Sequence, residues 1–221
     1  MNRLPLTVLS SLALLAVVGA GAFWQLGDMG SQSAPATQPQ SAPAEASPSE
    51  AFGGAFSLTD QYGMRRTDMD FRGKYMLIFF GYTYCPDVCP TALAVQAEAL
   101  DKLGALASRI VPIFITVDPK RDTADKLKSY LSAFDAGPSS VRPNFVGLTG
   151  TDEEISKAAD AYRVFYQAHL DGRSGGEEDY SVDHSSHVYL MSPEGKFVAY
   201  YTQGILPDEL AADLLLKTSP G

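Results

Sequence analysis

The sequence predicts an α/β fold in three layers, a sheet with helices on both faces. Three observations lead there. Residues 75–80 are an unbroken apolar run and 110–117 one interrupted only by Thr116, the pattern of strands buried on both sides rather than one. A stretch with helical apolar spacing follows each run, so strand and helix alternate along the chain. Near the end, residues 182–191 and 196–202 flank Ser192-Pro193-Glu194-Gly195, a turn-forming tetrad, and read as a hairpin. A right-handed crossover between the parallel strands puts the first helix on one face of the sheet.

Taken in order, the chain divides at residues 28 and 51. Residues 1–28 contain a charge-free apolar stretch from Leu4 to Gly27, about the length a helix needs to cross a bilayer. Arg3 precedes it and Asp28 follows, so the positive end stays in the cytoplasm. Ala20-Gly21-Ala22 offers a small-residue cleavage site for the rival reading, a removed signal peptide. The apolar run continues through Phe23 and Trp24, an aromatic pair suited to a membrane interface, which favours a retained single-pass anchor. Either way the rest faces an exported compartment, the periplasm for an anchor in an inner membrane. Residues 29–51 are Ala, Pro, Ser and Gln with almost nothing bulky, a linker that cannot build a core.

Residues 52–221 form the folded domain. Residues 56–59 alternate and read as a short edge strand, with a turn over 60–63. Residues 91–106 carry Leu93, Ala97, Leu100 and Leu103 at helical spacing, with Pro90 in the first turn. Asp122 or Thr123 caps a helix bearing Leu127, Tyr130, Leu131 and Phe134. A short strand covers 145–148, and Thr151-Asp152-Glu153-Glu154 is a capping box opening a helix through Tyr162. Residues 207–217 make a closing amphipathic helix.

Bulk composition narrows the function. Net charge is -9 and the sequence pI is about 4.7, which argues against nucleic acid as a partner. The two cysteines, Cys85 and Cys89, are too few for a disulfide scaffold. They are separated by three residues and lie between the first apolar run and its helix. Unpaired N–H groups at a helix start favour thiolate over thiol, so a pair here can form a disulfide or grip a soft metal ion.

With cysteines at the first strand–helix junction, the arrangement resembles a thioredoxin-like fold. Two departures from that fold's oxidoreductases point toward metal. Those enzymes usually hold two residues between the cysteines, and a proline in the facing loop. Here the facing loop reads Val182-Asp183-His184-Ser185-Ser186-His187. An imidazole beside two thiolates makes a three-coordinate site for a soft or borderline ion.

Three segments carry a closer likeness: residues 81–90 (Gly-Tyr-Thr-Tyr-Cys-Pro-Asp-Val-Cys-Pro), 117–123 (Val-Asp-Pro-Lys-Arg-Asp-Thr) and 179–185 (Asp-Tyr-Ser-Val-Asp-His-Ser). Together they resemble the SCO/SenC family, over residues 52–217. The resemblance implies a membrane-tethered, copper-binding assembly factor for cytochrome c oxidase that acts on its dinuclear copper centre. Its partners would be the copper-site subunit of the oxidase and other copper carriers. The family's metal ligands map onto Cys85, Cys89 and His184.

Other residues take lesser roles. Asp118 closes the second buried strand, placed to tune the thiols or complete a Cu(II) site, since Cu(II) tolerates harder ligands. Asp122 reads chiefly as a helix cap, and Asp87 as solvated. His187 lies an odd number of residues from His184, so strand alternation turns it away. His169, before Asp171-Gly172, reads as a solvated loop residue, and the run 177–179 as a polar loop. Met76 and Met191 read as core. Beside a copper chaperone stand a thiol-disulfide reductase serving the oxidase's copper-site cysteines and a redox sensor. A peroxidase is disfavoured, because Pro-x-x-x-Thr/Ser-x-x-Cys is missing. A pure reductase has no need of His184.

Overall fold

The computed structural model describes residues 52–137, 140–170 and 180–219. The apolar stretch 4–27, the linker 29–51 and the run 177–179 lie outside the described residues. Among the described residues no helix is long and apolar enough to cross a membrane.

The elements in chain order are β1 (Ser57–Asp60), β2 (Arg65–Thr67), β3 (Tyr75–Gly81), α1 (Val88–Lys102), β4 (Ile110–Thr116), α2 (Ala124–Leu131) and β5 (Val146–Thr149). After them come α3 (Asp152–Ala161), β6 (Tyr166–Leu170), β7 (Tyr180–His184), β8 (Val188–Met191), β9 (Phe197–Tyr201) and α4 (Pro207–Thr218). A seven-stranded sheet runs in the order β2-β1-β5-β4-β3-β8-β9, and β6 and β7 form a separate two-stranded sheet. β3, β4 and β5 are mutually parallel, and β8 runs antiparallel to β3. The two apolar runs are thus the adjacent central strands, as burial on both faces requires.

Alternation along β3 sends its side chains into two layers. On one side Phe79 meets Phe114 with ring centroids 6.2 Å apart, and Phe114 meets Tyr130 of α2 at 6.0 Å. On the other, Phe80 meets Tyr162, the residue ending α3, at 5.5 Å. Helices therefore cover both faces, in the expected mixed α/β, three-layer arrangement. Gly147 of β5 has its open side 2.6 Å from Leu131, measured from where a Cβ would sit, so α2 lies directly on the strand there. Met76 and Met191 are buried, in register across β3 and β8.

Several local expectations change. β1 is not an edge strand, because β2 pairs outside it. β2 is Arg65-Arg66-Thr67, too short and too polar to carry an alternation. The turn between them is present: Asp60 Oδ1 accepts the N–H groups of Tyr62 and Met64, and Gly63 adopts φ 81°. α1 begins earlier than its apolar spacing suggests, at Val88, so that Cys89 lies in its first turn. The run 182–191 is two strands rather than one. At the break, Ser185 N–H donates to Phe165 O (2.9 Å), and Ser185 Oγ accepts from Phe165 N–H (3.1 Å), drawing the chain toward β6. The hairpin partner of β9 is β8 alone.

Candidate metal centre

β3 delivers the chain to the site and α1 receives it. The turn between them is closed by Cys85 N–H donating to Tyr82 O at 3.3 Å. Asp87 occupies the N-cap position of α1, yet its side chain caps nothing. Instead the N–H of Cys89 donates to Cys85 Sγ at 3.3 Å. The sulfur thus takes the place a capping oxygen usually fills, where helix N–H groups favour negative charge. Gly81 makes room for the second cysteine: a Cβ there would sit 2.8 Å from Cys89 Sγ and 3.0 Å from the rings of Phe79 and Phe114.

The two thiols differ sharply. Cys85 is partly exposed and Cys89 fully buried. The hydrogen bond from Cys89 holds Cys85 down to about 3, helped by the N–H groups of Cys89 and Asp87, against the opposing effect of burial. The same bond to Cys85, together with burial and the neighbouring negative sulfur, pushes Cys89 far up. Cys85 is therefore the thiolate of the pair and Cys89 the thiol.

His184 comes from the other sheet, as the last residue of β7. Its Nε2 lies 3.4 Å from Cys89 Sγ, and its Nδ1 lies 3.2 Å from Ser185 O. A carbonyl oxygen can only accept, so in the neutral ring Nδ1 carries the proton and Nε2 turns its lone pair to the sulfur. Phe79 and Tyr82 hold the ring edge-on, with centroids 6.0 and 5.9 Å away. The two sulfurs and Nε2 all lie within 4.8 Å of one another. Bonds of about 2.3 Å to sulfur and 2.0 Å to nitrogen in a trigonal plane need donors roughly 3.5–4 Å apart. Small side-chain adjustments close that difference.

Of the other residues singled out by sequence, none joins this cluster among the described residues. Asp118 is buried and paired with Arg121, and it accepts the Tyr180 hydroxyl. Asp122 is not the helix cap; Thr123 is, accepting Lys126 N–H. Asp122 instead accepts Thr83 N–H (3.0 Å), Thr83 Oγ1–H (2.6 Å) and Thr116 Oγ1–H (2.6 Å), tying the cysteine turn to the end of β4. Burial, outweighing those bonds, raises its carboxyl above the usual range. His187 does stay away from the sulfurs, but not by alternation along one strand. It lies in the connection before β8 and packs edge-on against Tyr200, with centroids 5.2 Å apart. His169 is on strand β6, not in a loop, with Nε2 3.1 Å from Asp183.

A cationic stack beside the site was not foreseen. The Arg121 guanidinium lies 3.6 Å from the Tyr180 ring centroid, 4.6 Å from that of Tyr84 and 5.7 Å from that of Tyr82. It therefore links the residue before Cys85 to the start of β7. The tyrosines stand in the quoted motifs, but nothing local in the sequence says that they meet.

Comparison with known proteins fits this geometry. A profile of the SCO1/SenC family matches residues 44–217. The chain belongs to that family. The human mitochondrial SCO1 homolog is 40% identical over 171 residues, which are 76% of this chain and 54% of that protein. This chain spans only about half the length of the first curated relatives it matches. The copper-bound structure of ScoI from Bradyrhizobium japonicum is 44% identical, with a TM-score of 0.65, covering 76% of this chain and 99% of that one. Copper-bound ScoI from Arabidopsis thaliana gives 39% and 0.66, covering 76% and 98%. These SCO1/SenC relatives share the α/β fold with its central sheet.

Proposed function

We propose that the protein binds copper through Cys85, Cys89 and His184 and delivers it to the dinuclear copper centre of cytochrome c oxidase. The observation carrying this reading is the convergence of two sulfurs and one imidazole nitrogen within 4.8 Å. Soft thiolates select Cu(I), and an imidazole keeps Cu(II) acceptable. Copper-bound relatives at about two-fifths identity support the choice of metal. Copper here is cargo: it enters as the Cys89 thiol gives up its proton, and it leaves by exchange of these donors for those of the copper-site subunit. The charge-free stretch 4–27 would hold the domain at the inner membrane, facing the periplasm or an equivalent exported compartment. The test is metal analysis of the reduced full-length protein, with oxidase activity measured in cells carrying it or His184→Ala. One copper per chain is expected, falling with the variant together with oxidase activity. Undiminished maturation with His184→Ala would refute the reading.

The asymmetry of the thiols supports a second activity, reduction of the cysteines in the target's copper site. An exposed thiolate beside a buried thiol is the arrangement of an attacking and a resolving cysteine. Cys85 would attack the target disulfide, and Cys89 would then displace the target's sulfur from Cys85. Two electrons pass to the target, leaving a Cys85–Cys89 disulfide. This activity needs both cysteines and not His184, so the same variant separates it from copper delivery.

A further inference from the structure

Side chains alternate along a strand, so Tyr180, Val182 and His184 share one face of β7. All three are turned to the body of the protein. Tyr180 stacks on the Arg121 guanidinium, 3.6 Å from its ring centroid. Val182 is buried, its N–H toward the Tyr82 hydroxyl, and His184 ends the row beside Cys89. Five residue pairs with β6, from Leu170 and Tyr180 to Tyr166 and His184, stiffen the strand. Its ends are about 13 Å apart. Where Tyr180 is pinned therefore sets the arc that the imidazole can reach.

The segment 118–122, directly after β4, holds both of the pieces that bear the thiols and the imidazole. Asp122 accepts three donors from Thr83 and Thr116 and so grips the cysteine turn. Its neighbour Arg121 grips β7: Nη1 donates to Tyr180 O at 2.8 Å. Asp118 pairs with Arg121 Nε and accepts the Tyr180 hydroxyl, closing the contact from the other side. The Arg121 side chain is only 6% exposed, so these bonds are shielded from water. The guanidinium also lies 4.6 Å from the ring of Tyr84, the residue before Cys85. One side chain thus touches the cysteine turn and the start of the strand that ends in His184.

Resting on the copper-binding reading, we propose that Arg121 is a positioning residue for the metal site, pinning β7 to the cysteine turn and so setting the span between His184 Nε2 and the two sulfurs. A lysine would keep a positive charge opposite Asp118. Its single ammonium cannot pair with Asp118, reach the Tyr180 carbonyl and lie flat on a ring at once.

The test is a double-mutant cycle in the reduced full-length protein, with Cu(I) alone as ligand and a colorimetric chelator as competitor. Arg121→Lys should weaken Cu(I) about tenfold, the size of one desolvated cation–ring contact. In a His184→Ala background the same change should alter affinity by less than about threefold, since no imidazole remains to be misplaced. Tyr180→Leu removes the ring and its hydroxyl but leaves the Arg121–Asp118 pair. It should repeat both results, and it carries the test if melting of the metal-free protein shows that Arg121→Lys does not fold. Unchanged affinity in both single variants overturns the inference. So does a tenfold loss that persists without His184, the mark of a residue that serves the fold alone. If the unaltered protein binds no copper, or His184→Ala binds it equally tightly, the copper reading itself fails, and this is seen before Arg121 or Tyr180 is changed.

Discussion

Replacing His184 by Ala removes one of three donors and leaves the cysteine turn untouched, since Cys85 is capped by the Cys89 N–H rather than by the imidazole. Structural zinc sites of four ligands bind with about 10–16 kcal/mol, or about 2.5–4 kcal/mol for each ligand. Losing one donor from this cluster should therefore weaken Cu(I) by about 3 kcal/mol, a factor of roughly a hundred to a thousand. The ring also packs edge-on against Phe79 and Tyr82, but it is half-buried at the end of β7, so its loss should lower apoprotein stability only modestly. The assay is anaerobic competition against a colorimetric Cu(I) chelator, read beside the melting temperature of the metal-free protein. An affinity within threefold of the unaltered protein would mean that Nε2, for all its proximity to Cys89, does not hold the metal.

Four further outcomes follow from the same geometry. With Cys85 held down to about 3 and Cys89 pushed up, only Cys89 carries a proton at pH 7. Copper binding to the two sulfurs should release about one proton, not two, and calorimetry in buffers of different ionisation heat would show this. A depressed pKa keeps the group charged above it, so alkylation of Cys85 by iodoacetamide in reduced apoprotein should stay nearly flat from about pH 5 to pH 8. A rate rising tenfold per pH unit over that window would deny the thiolate. Gly81→Ala forces a methyl within 2.8 Å of Cys89 Sγ and against two rings, and should cost about 1–3 kcal/mol in thermal unfolding. Asp122→Ala strands three donors of Thr83 and Thr116, and should destabilise the fold by about 3 kcal/mol while loosening the cysteine turn.

The parts of this structure legible in the sequence are those where one local pattern decides the outcome. Residues 75–80 and 110–115 are apolar throughout and become β3 and most of β4, the adjacent central strands. The capping box at Thr151 opens α3 as its spacing requires, with Glu154 N–H reaching Thr151 Oγ1. β2 escaped because three polar residues at an edge carry no periodicity. The break between β7 and β8 escaped for another reason: it is made by Ser185 bonding to Phe165, twenty residues earlier, and a single run of sequence holds no trace of such a pairing. At the site, residue types and spacing brought forward the two cysteines and His184. They did not show that Asp122 would face Thr83 rather than its own helix, because both roles suit a carboxylate at that position. Gln96, completely buried, lies on a helix whose core positions were read from Leu93, Ala97 and Leu100, and a polar residue among them gives no sign of being sealed in.

The separation of His184 from the cysteines into different sheets has a mechanical consequence. Cys89 and His184 are 95 residues apart in sequence, and β7, which carries the imidazole, pairs among the described residues only with β6 in its own small sheet. An ion held by all three donors would act as a clasp between that two-stranded hairpin and the seven-stranded body. Tyr180, at the start of β7, is already held to the body by Asp118 and Arg121, so loading would fix the far end of the strand at His184 and unloading would release that end alone. A partner need not sense the buried metal to know whether the protein is charged. The stance of the hairpin would announce it from outside.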